Sequence, residues 1–262
     1  MIAEERRLKI LEILEEKKTV SVKELKEIFG VSEDTVRQDL KTLDEQKLLR
    51  RIYGGAVRIK KGSTEIPFSL RGVTNRDIKE AIGKEGAKLI EDGDCLIFDA
   101  STTALQVARN IDPTIRVTIL TTSLDICISL ARNQNVSVIA TGGTLHPLSM
   151  SFIGPQAEAA IQNYLADCLF LGVKAISLSQ KAIADVFELE VHLKKVMIRS
   201  ARKVIVVAES RKFQDQAFFK VADLASINVI VTDSAIDAQT LKTLQEMGIE
   251  VRIAHIKGVG NG

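Results

Sequence analysis

The sequence has little cysteine: the three residues are widely spaced and lie in apolar stretches (Cys95, Cys127 and Cys168). No Cys-x-x-Cys pair and no cluster of cysteine with histidine occurs, so we expect no metal site. An odd number of scattered cysteines is typical of a reducing compartment, in which they are buried as small apolar side chains. We therefore expect a cytoplasmic protein and predict no cofactor.

Long apolar runs and a large excess of one charge are also absent. No segment has the length of a membrane span, and the charged N-terminal residues do not form a signal peptide. The chain has 36 Lys and Arg against 34 Asp and Glu, a formal net charge of +2, so it is not a polycation. No leucine heptad occurs, so the homodimer or higher oligomer that we expect would form through the second half of the chain.

The excess positive charge is concentrated near the N terminus. Residues 1–61 carry 15 basic and 12 acidic side chains, whereas the remaining residues carry 21 basic and 22 acidic ones. Between residues 47 and 61 there are six basic residues and no acidic residue. A local basic surplus of this kind, in a nearly neutral protein, is typical of a nucleic-acid contact.

Residues 31–43 have the pattern of a short amphipathic helix. Ser32 suits the N-cap, and the apolar residues at 36, 40 and 43 fall on one face of the helix. In the preceding segment Ser21 and Glu24 form a capping box, and Gly30 is the residue expected just past the helix end. Two capped helices joined by a short turn predict a helix-turn-helix, although a plain helical hairpin has the same pattern.

A β-hairpin is predicted directly after this helix pair, because two short β-prone runs flank Gly54-Gly55. Its basic side chains suit contacts with phosphate groups. The alternative is a solvated hairpin whose charges only maintain solubility. We favour a DNA-contacting wing because the basic cluster follows the helix pair directly, and we expect an amphipathic helix at 4–17 to support both.

These residues together resemble the N-terminal signature of the DeoR family of bacterial transcriptional regulators. The resemblance rests on Val-Ser-x-x-Thr-Val-Arg-x-Asp-Leu at 31–40 and on Leu-Leu-x-Arg-x-Tyr-Gly-Gly-Ala at 48–56. The family usually has two arginines before the aspartate, and the second is Gln38 here. The resemblance implies binding to a double-stranded DNA operator. The residues that we expect at the DNA are Ser32, Glu33, Thr35, Arg37, Gln38, Lys41, Arg50, Arg51, Tyr53 and Arg58.

From residue 75 onward, short apolar runs alternate with helical segments. We predict strands at 95–98, 117–120, 136–140, 168–173, 204–208, 229–231 and 251–254, and helices at 76–90, 103–111, 124–133, 155–164, 187–202 and 235–247. This alternation predicts a mainly parallel, Rossmann-like sheet with helices on both faces. The predicted fold class is α/β, with a winged helix-turn-helix at 1–58, a linker at 59–75, the α/β domain at 76–257 and a flexible tail at 258–262.

Ligands of parallel α/β sheets bind beyond the carboxyl ends of the strands, and this rule selects four loops. The loops at 99–103 and 121–123 carry hydroxyl groups that would bind a phosphate or simply cap the next helix; for the first, taken alone, we favour the cap. The loop at 141–147 has paired glycines, which let the backbone approach a ligand or merely turn. Lys212, in the fourth loop, would neutralise an anion or lie exposed at a helix start.

The resemblance extends to this second half, since the DeoR family has a sensor domain similar to the sugar-phosphate isomerase fold. It implies a regulator, most often a repressor, whose DNA binding responds to a phosphorylated sugar or a similar small molecule. The residues that we expect to bind this effector are Asp99, Ser101, Thr102, Thr103, Thr122, Ser123, Gly142, Gly143, Lys174 and Lys212.

Several positions in this half depart from the family pattern. The family usually has Asp-Gly where this chain has Lys174 and an alanine, and Asn where it has Thr122. Residues 182–184 replace a Gly-Leu-Thr stretch, and His192 aligns with a glutamate. The phosphate half of the site is thus retained and the sugar-reading half altered, which predicts an unusual effector or a sensor that has lost one.

Two functions are compared. The first is a sequence-specific DNA-binding regulator of sugar or carbohydrate metabolism genes. The alternative is a sugar-phosphate isomerase or deaminase with an accessory DNA-binding domain, which needs a general base at the sugar carbon. Asp99, Asp185 and His192 are the candidates for that base, and their spacing in the sequence places no pair of them together. We predict the regulator and no catalytic residues, because a similar fold does not establish activity.

Overall fold

The structure is a computed structural model that describes residues 1–59 and 66–256. The chain divides into two compact units, Met1–Thr74 and Asn75–Gly262. Two predicted features, the wing lysines Lys60 and Lys61 and the tail at 258–262, lie outside the described residues.

The first unit is a winged helix-turn-helix, as predicted. Its elements are α1 (Ala3–Lys17), β1 (Thr19–Ser21), α2 (Val22–Phe29), α3 (Glu33–Glu45), β2 (Leu49–Ile52), β3 (Gly55–Arg58) and α4 (Phe68–Val73). The three strands form one antiparallel sheet in the order β1-β3-β2. Strand β1 was not predicted, because three residues between two helices show no period.

The core of this unit is formed by the apolar faces of its helices. Val36, Leu40 and Leu43 of α3 are buried together, as their spacing predicted, against Ile10 and Leu14 of α1. Burying such side chains contributes about 1.5–3 kcal/mol each before the entropy of ordering them is counted. The core therefore fixes which face of α3 points outward.

The predicted linker at 59–75 differs from the structure. Its second half forms α4, in which Phe68 and Leu70 are buried, and Leu70 belongs to the core beside α1. The first compact unit consequently extends to Thr74 rather than to residue 58. A helix of six residues is too short to show a clear period, so no periodic pattern predicted it.

The second unit is built on a seven-stranded sheet. Its elements are α5 (Arg76–Ala87), β4 (Cys95–Phe98), α6 (Thr102–Arg109), β5 (Val117–Thr121), α7 (Leu124–Leu130), β6 (Val136–Ala140), β7 (Thr144–His146), β8 (Ser151–Ile153), α8 (Pro155–Gln162), β9 (Ala166–Leu171), β10 (Ala175–Ser177), β11 (Ala182–Asp185), α9 (Glu188–Arg199), β12 (Ala201–Val207), β13 (Phe219–Asp223), β14 (Val229–Asp233), α10 (Ala238–Glu246) and β15 (Glu250–Ala254). Two short 3-10 turns, Ser210–Phe213 and Leu224–Ser226, complete it.

The strand order of this sheet is β15-β14-β12-β9-β4-β5-β6, and every neighbouring pair is parallel, which confirms the predicted α/β class. From β4 the chain adds β5 and β6 on one side, and it then returns to add β9 on the other side of β4. The order therefore reverses between β4 and β9, and such a switch point opens a crevice at the carboxyl ends of the strands.

Two small antiparallel sheets were not predicted: the β7-β8 hairpin and the sheet β10-β11-β13. Both consist of strands of only three to five residues.

One cysteine also differs from expectation. Cys95 is exposed at the first position of β4, whereas Cys168 is buried in β9 and burial raises the pKa of its thiol to about 11.

Candidate nucleic-acid interface and effector site

Helix α3 presents a polar outer face that begins at a well-formed N-cap. The hydroxyl oxygen of Ser32 accepts a hydrogen bond from the backbone N–H of Thr35 at 3.1 Å, and the two hydroxyl groups are 2.8 Å apart. Because the opposite face is buried, Arg37, Gln38 and Lys41 are exposed. The predicted DNA-contacting residues of this helix therefore lie on one accessible surface, the surface that the major groove admits.

The Arg37 guanidinium is paired with acids on its own helix, at 2.6 Å from Glu33 and 3.2 Å from Asp34. Exposed pairs of this kind contribute little to stability. They hold the arginine against the outer face, and a DNA base or phosphate that binds Arg37 would replace these carboxylates.

Asp39 is a positioning residue that the sequence reasoning missed. Its side chain is almost completely buried and accepts hydrogen bonds from Arg6 at 2.5 Å and Arg7 at 2.9 Å, both on α1. The ion cluster ties the middle of α3 to its scaffold helix. The available signal was an acidic residue on the apolar face of the helix, since a carboxylate there needs a cationic partner.

The wing is attached to the helix pair by backbone contacts that require both glycines. Gly54 has a φ of +76°, and its carbonyl accepts a hydrogen bond from the backbone N–H of Val22 at 2.8 Å. A Cβ at Gly55 would lie 2.1 Å from the carbonyl oxygen of Val20, so only glycine lets β3 pair with β1. Of the predicted wing contacts, Arg50, Arg51 and Tyr53 are exposed and Arg58 is half-buried.

At the carboxyl edge of the large sheet, the loops after β4 and β9 touch each other. A Cβ at Gly172 would lie 2.3 Å from the side-chain oxygen of Ser101, so this approach again requires glycine. Asp99 is buried at the same place, and its Oδ1 accepts a hydrogen bond from the Ser101 backbone N–H at 3.2 Å. The switch point thus brings Gly172 against two of the four predicted effector residues of the first loop.

Two of the predicted hydroxyl groups cap helices. Ser101 accepts a hydrogen bond from the Ala104 N–H at 3.0 Å, and Ser123 accepts one from the Ile126 N–H at 3.2 Å. The capping alternative therefore accounts for both. The other predicted hydroxyl residues of these two loops, Thr102, Thr103 and Thr122, are buried.

The paired glycines after β6 both have positive φ, +68° at Gly142 and +107° at Gly143. A Cβ at Gly143 would lie 2.7 Å from the carbonyl oxygen of Ile153, so the turn itself explains this pair. His146, in the same loop, is half-buried and stacked on Phe187, with ring centroids 4.4 Å apart.

A buried cation that was not predicted lies under the switch point. The Lys194 ammonium donates hydrogen bonds to the Gly172 carbonyl at 2.9 Å and to Asp185, and lies 3.5 Å from Asp99. Burial alone would lower the pKa of Lys194, but Asp185, Asp99 and Glu190 together raise it above its usual value. At Asp99 burial dominates, and it raises the pKa of that carboxyl despite the attraction of Lys194.

A chain of polar side chains continues from this cluster. Glu190 accepts a hydrogen bond from Ser151 at 2.9 Å; Ser151 is bonded to Ser149, and Ser149 to His146. Helix α9 therefore places a buried glutamate at this site. His192, which we aligned with a glutamate of the family pattern, is exposed on the other side of α9. Of the three candidate bases of the enzyme alternative, Asp99 and Asp185 meet at Lys194 and His192 does not.

Three cations lie near the ends of β9 and β12: the predicted effector residues Lys174 and Lys212, and the neighbouring Arg211. Lys212 lies in the 3-10 turn after β12 and is bonded to Asp215 at 2.9 Å, while Arg211 is bonded to Glu209 at 2.9 Å. Burial, followed by the charge of Lys212, lowers the pKa of Lys174 to about 8. Positive side chains thus cluster at this end of the sheet edge, two of them paired with carboxylates.

Comparison with known proteins identifies the family to which the two units belong. The DeoR-like helix-turn-helix domain matches residues 6–62, and the DeoR C-terminal sensor domain matches residues 74–234. The chain belongs to the DeoR family of transcriptional regulators. The N-terminal unit is accordingly its DNA-binding domain, and the α/β unit is its sensor domain.

Relatives within this DeoR family align along nearly the whole chain. The uncharacterized HTH-type transcriptional regulator YulB of Bacillus subtilis (strain 168) is 39% identical and covers 96% of both chains. The putative aga operon transcriptional repressor of Escherichia coli O157:H7 is 34% identical, over 94% of this chain and 92% of its own. The transcriptional repressor AccR of Agrobacterium fabrum (strain C58 / ATCC 33970) is 35% identical, over 88% and 90%.

Similarity to solved structures is weaker. Ribose 5-phosphate isomerase A from Methanocaldococcus jannaschii is 16% identical, with a TM-score of 0.40 over 53% of this chain and 55% of its own, too distant to bear on function. Within residues 1–59 and 66–256, no helix is long and apolar enough to cross a membrane. The same residues contain no group of three or more histidine, cysteine or acidic side chains arranged to hold a metal ion.

Proposed function

We propose that this DeoR-family regulator represses genes of sugar or carbohydrate metabolism and that a phosphorylated sugar, bound in the sensor domain, changes its DNA binding. The repressor names of two relatives support the sign of regulation. The name of one of them, the putative aga operon repressor, refers to a regulated operon, which is consistent with this role.

The observation that carries the effector half of the proposal is the contact between the loops after β4 and β9. Gly172 brings the backbone against Ser101 at the N-terminus of α6, where the helix dipole favours an anion. Lys212 adds a positive charge at the same edge of the sheet. A helix N-terminus and a nearby cation both favour a bound phosphate at such a junction.

The DNA half of the proposal uses the outer face of α3 and the wing. Arg37, Gln38 and Lys41 would enter the major groove, while Arg51 and Arg58 would contact phosphates. Two protomers would bind repeated half-sites, as expected of helix-turn-helix regulators. For the effector to act, it must bind one geometry of the oligomer better than the other.

The test is a DNA-binding titration of the full chain on the promoter region of its own gene neighbourhood, at several salt concentrations and with a panel of phosphosugars. We expect sequence-specific binding that one phosphosugar weakens. If competitor DNA of any sequence displaces the protein equally well at every salt concentration, the DNA half is overturned. If DNA binding is specific but no phosphosugar alters it, and no phosphosugar binds to the protein measurably, the effector half is overturned.

The enzyme alternative makes a different prediction. Asp99 and Asp185 both face Lys194 in a buried cluster, which leaves neither carboxylate as a separate base for a sugar carbon. We therefore expect no isomerisation or deamination of the same phosphosugars. Turnover that disappears in Asp99→Asn would establish the alternative instead.

A further inference from the structure

Lys174 is the one predicted effector residue whose charge the protein leaves unmatched within its described residues. It follows β9 by three positions, and its backbone N–H donates a hydrogen bond to the Ala184 carbonyl at 3.2 Å. This bond fixes Lys174 beside β11, two residues after the contact between Gly172 and Ser101. The residue is thus held at the crevice by backbone geometry.

The neighbouring cations each form an ion pair with a nearby carboxylate. Lys212 is bonded to Asp215, and Arg211 to Glu209, which also lies 3.7 Å from Lys79. Within residues 1–59 and 66–256, by contrast, Lys174 forms no ion pair. Its side chain is half-buried, so a part of its hydration has already been removed.

The cost of this arrangement is seen in the pKa of Lys174, which falls to about 8. Burial is the first cause, and Lys212 and Arg211 act in the same direction, while Asp215 and Asp185 oppose them. A charged group in such a position is stabilised when an anion binds beside it. The chemistry of the group also limits that ligand: an ammonium has three donors and no acceptor, so it binds an anionic oxygen more strongly than a hydroxyl.

We infer that the effector carries a second anionic group, a carboxylate or a second phosphate, besides the phosphate at the α6 N-terminus, and that Lys174 binds this second group. The inference rests on the proposed function. Ser101 and Lys212 account for one phosphate, and Lys174 then provides a second cationic position in the same crevice. A sugar that is neutral apart from its phosphate would leave this lysine unmatched.

Three matched pairs of probes test the inference by calorimetric titration of the full chain. They are glucose 6-phosphate with 6-phosphogluconate, fructose 6-phosphate with fructose 1,6-bisphosphate, and ribose 5-phosphate with ribose 1,5-bisphosphate. We expect the doubly anionic member of at least one pair to bind about tenfold or more tightly than its partner. The first pair reports a carboxylate, and the other two report a second phosphate.

The variant Lys174→Met should remove this preference, and Lys174→Arg should retain it. Lys220→Met is the matched control, because Lys220 is an exposed lysine of the same unit, paired with Asp223. Equal affinities within every pair that binds, or a preference that persists in Lys174→Met, would overturn the inference and leave the proposed function intact. If neither member of any pair binds and none alters DNA binding, the proposed effector class fails and the inference fails with it.

Proton uptake provides a second readout that does not depend on the size of the affinity change. An anion bound to Lys174 raises the pKa of the ammonium, so binding near pH 8 should take up protons. Titrations in buffers of different ionisation enthalpy measure this uptake. We expect it to be larger in the wild type than in Lys174→Met; equal uptake in the two proteins would contradict a contact with Lys174.

Discussion

Each unit of the protein contains a buried ion cluster beside the surface that we assign to its function, and these two clusters have opposite composition. In the DNA-binding unit a single carboxylate, Asp39, binds two arginines of α1. In the sensor unit a single ammonium, Lys194, lies between two carboxylates. The first cluster lies behind the proposed DNA-binding face of α3, whereas the second lies at the proposed effector crevice, beside Gly172.

The difference predicts that stability and recognition can be changed separately in the DNA-binding unit but are coupled in the sensor unit. The side chains that we assign to DNA project outward from α3, so Asp39 affects them only by positioning the helix. In the sensor unit Lys194 donates to the carbonyl of Gly172, the residue that forms the contact with Ser101. Changes in the second cluster should therefore affect folding and effector binding together.

Removal of Lys194 should have the largest effect. In Lys194→Met two buried carboxylates lose their common cation, and we expect the free energy of unfolding of the sensor unit to fall by about 3–5 kcal/mol. Hydrogen exchange, followed separately for peptides of each unit, measures this change. Lys195→Met is the control, because Lys195 is the next residue of α9 and its side chain is exposed. Equal losses in the two variants would show that the cluster does not stabilise this unit.

Asp39→Ala should have the next largest effect, of about 3 kcal/mol, confined to the DNA-binding unit. This loss should lie at the lower end of the range of about 3–5 kcal/mol for broken buried ion pairs, because the Arg7 side chain is 22% exposed and water can solvate it. Asp34→Ala removes an aspartate of the same helix that is almost fully exposed, and should change stability by less than about 0.5 kcal/mol. Urea unfolding monitored by hydrogen exchange compares them. If Asp34→Ala is as destabilising as Asp39→Ala, burial of the ion pair is not the cause.

Arg37→Ala changes recognition without affecting either cluster. We expect a loss of about 1–3 kcal/mol in operator binding, roughly 5- to 150-fold in affinity, with unfolding unchanged. A DNA-binding titration measures it, with Arg252→Ala as control, since that arginine is exposed on β15 and paired with Glu250. Unchanged affinity at several salt concentrations would exclude Arg37 from the groove.

Arg51→Ala should weaken binding to all DNA sequences by a similar factor, because we assign this wing residue to a phosphate. The slope of log K against log salt concentration should decrease in magnitude by about 0.9 for one lost phosphate contact. Arg202→Ala, which removes an exposed arginine of the sensor unit, should leave the slope unchanged. A loss limited to one DNA sequence would instead assign Arg51 to a base.

The last prediction concerns the pH dependence that Lys174 contributes. Because its pKa is lowered to about 8 from an ordinary value of 10.5, the unfolded chain binds the proton between these values and the native chain does not. The sensor unit should therefore gain stability as the pH rises from about 8 toward 10.5. Thermal unfolding across this range, compared with Lys174→Met, isolates the gain. A difference between the two proteins that does not vary with pH would show that Lys174 keeps its proton.

Local patterns predicted the DNA-binding unit better than the sensor site. The N-caps Ser21 and Ser32, the stop at Gly30 and the stripe of Val36, Leu40 and Leu43 all depend on contacts within one or two turns of helix. The seven strands of the large sheet were also found, because buried parallel strands are continuous apolar runs. Helix α4 was missed because its few residues show no periodicity.

The sequence by itself determined the two-domain organisation, the exposed face of α3 and the loops at the carboxyl edge of the sheet, since periodicity and strand-helix alternation encode them. Only the tertiary structure decided which charges meet. Asp39 joins Arg6 across 33 positions, and Lys194 of α9 reaches Asp99 after β4 and Gly172 after β9. Such pairs depend on strand order and helix packing, which no local pattern records, and burial then determines how strongly each charge needs its partner.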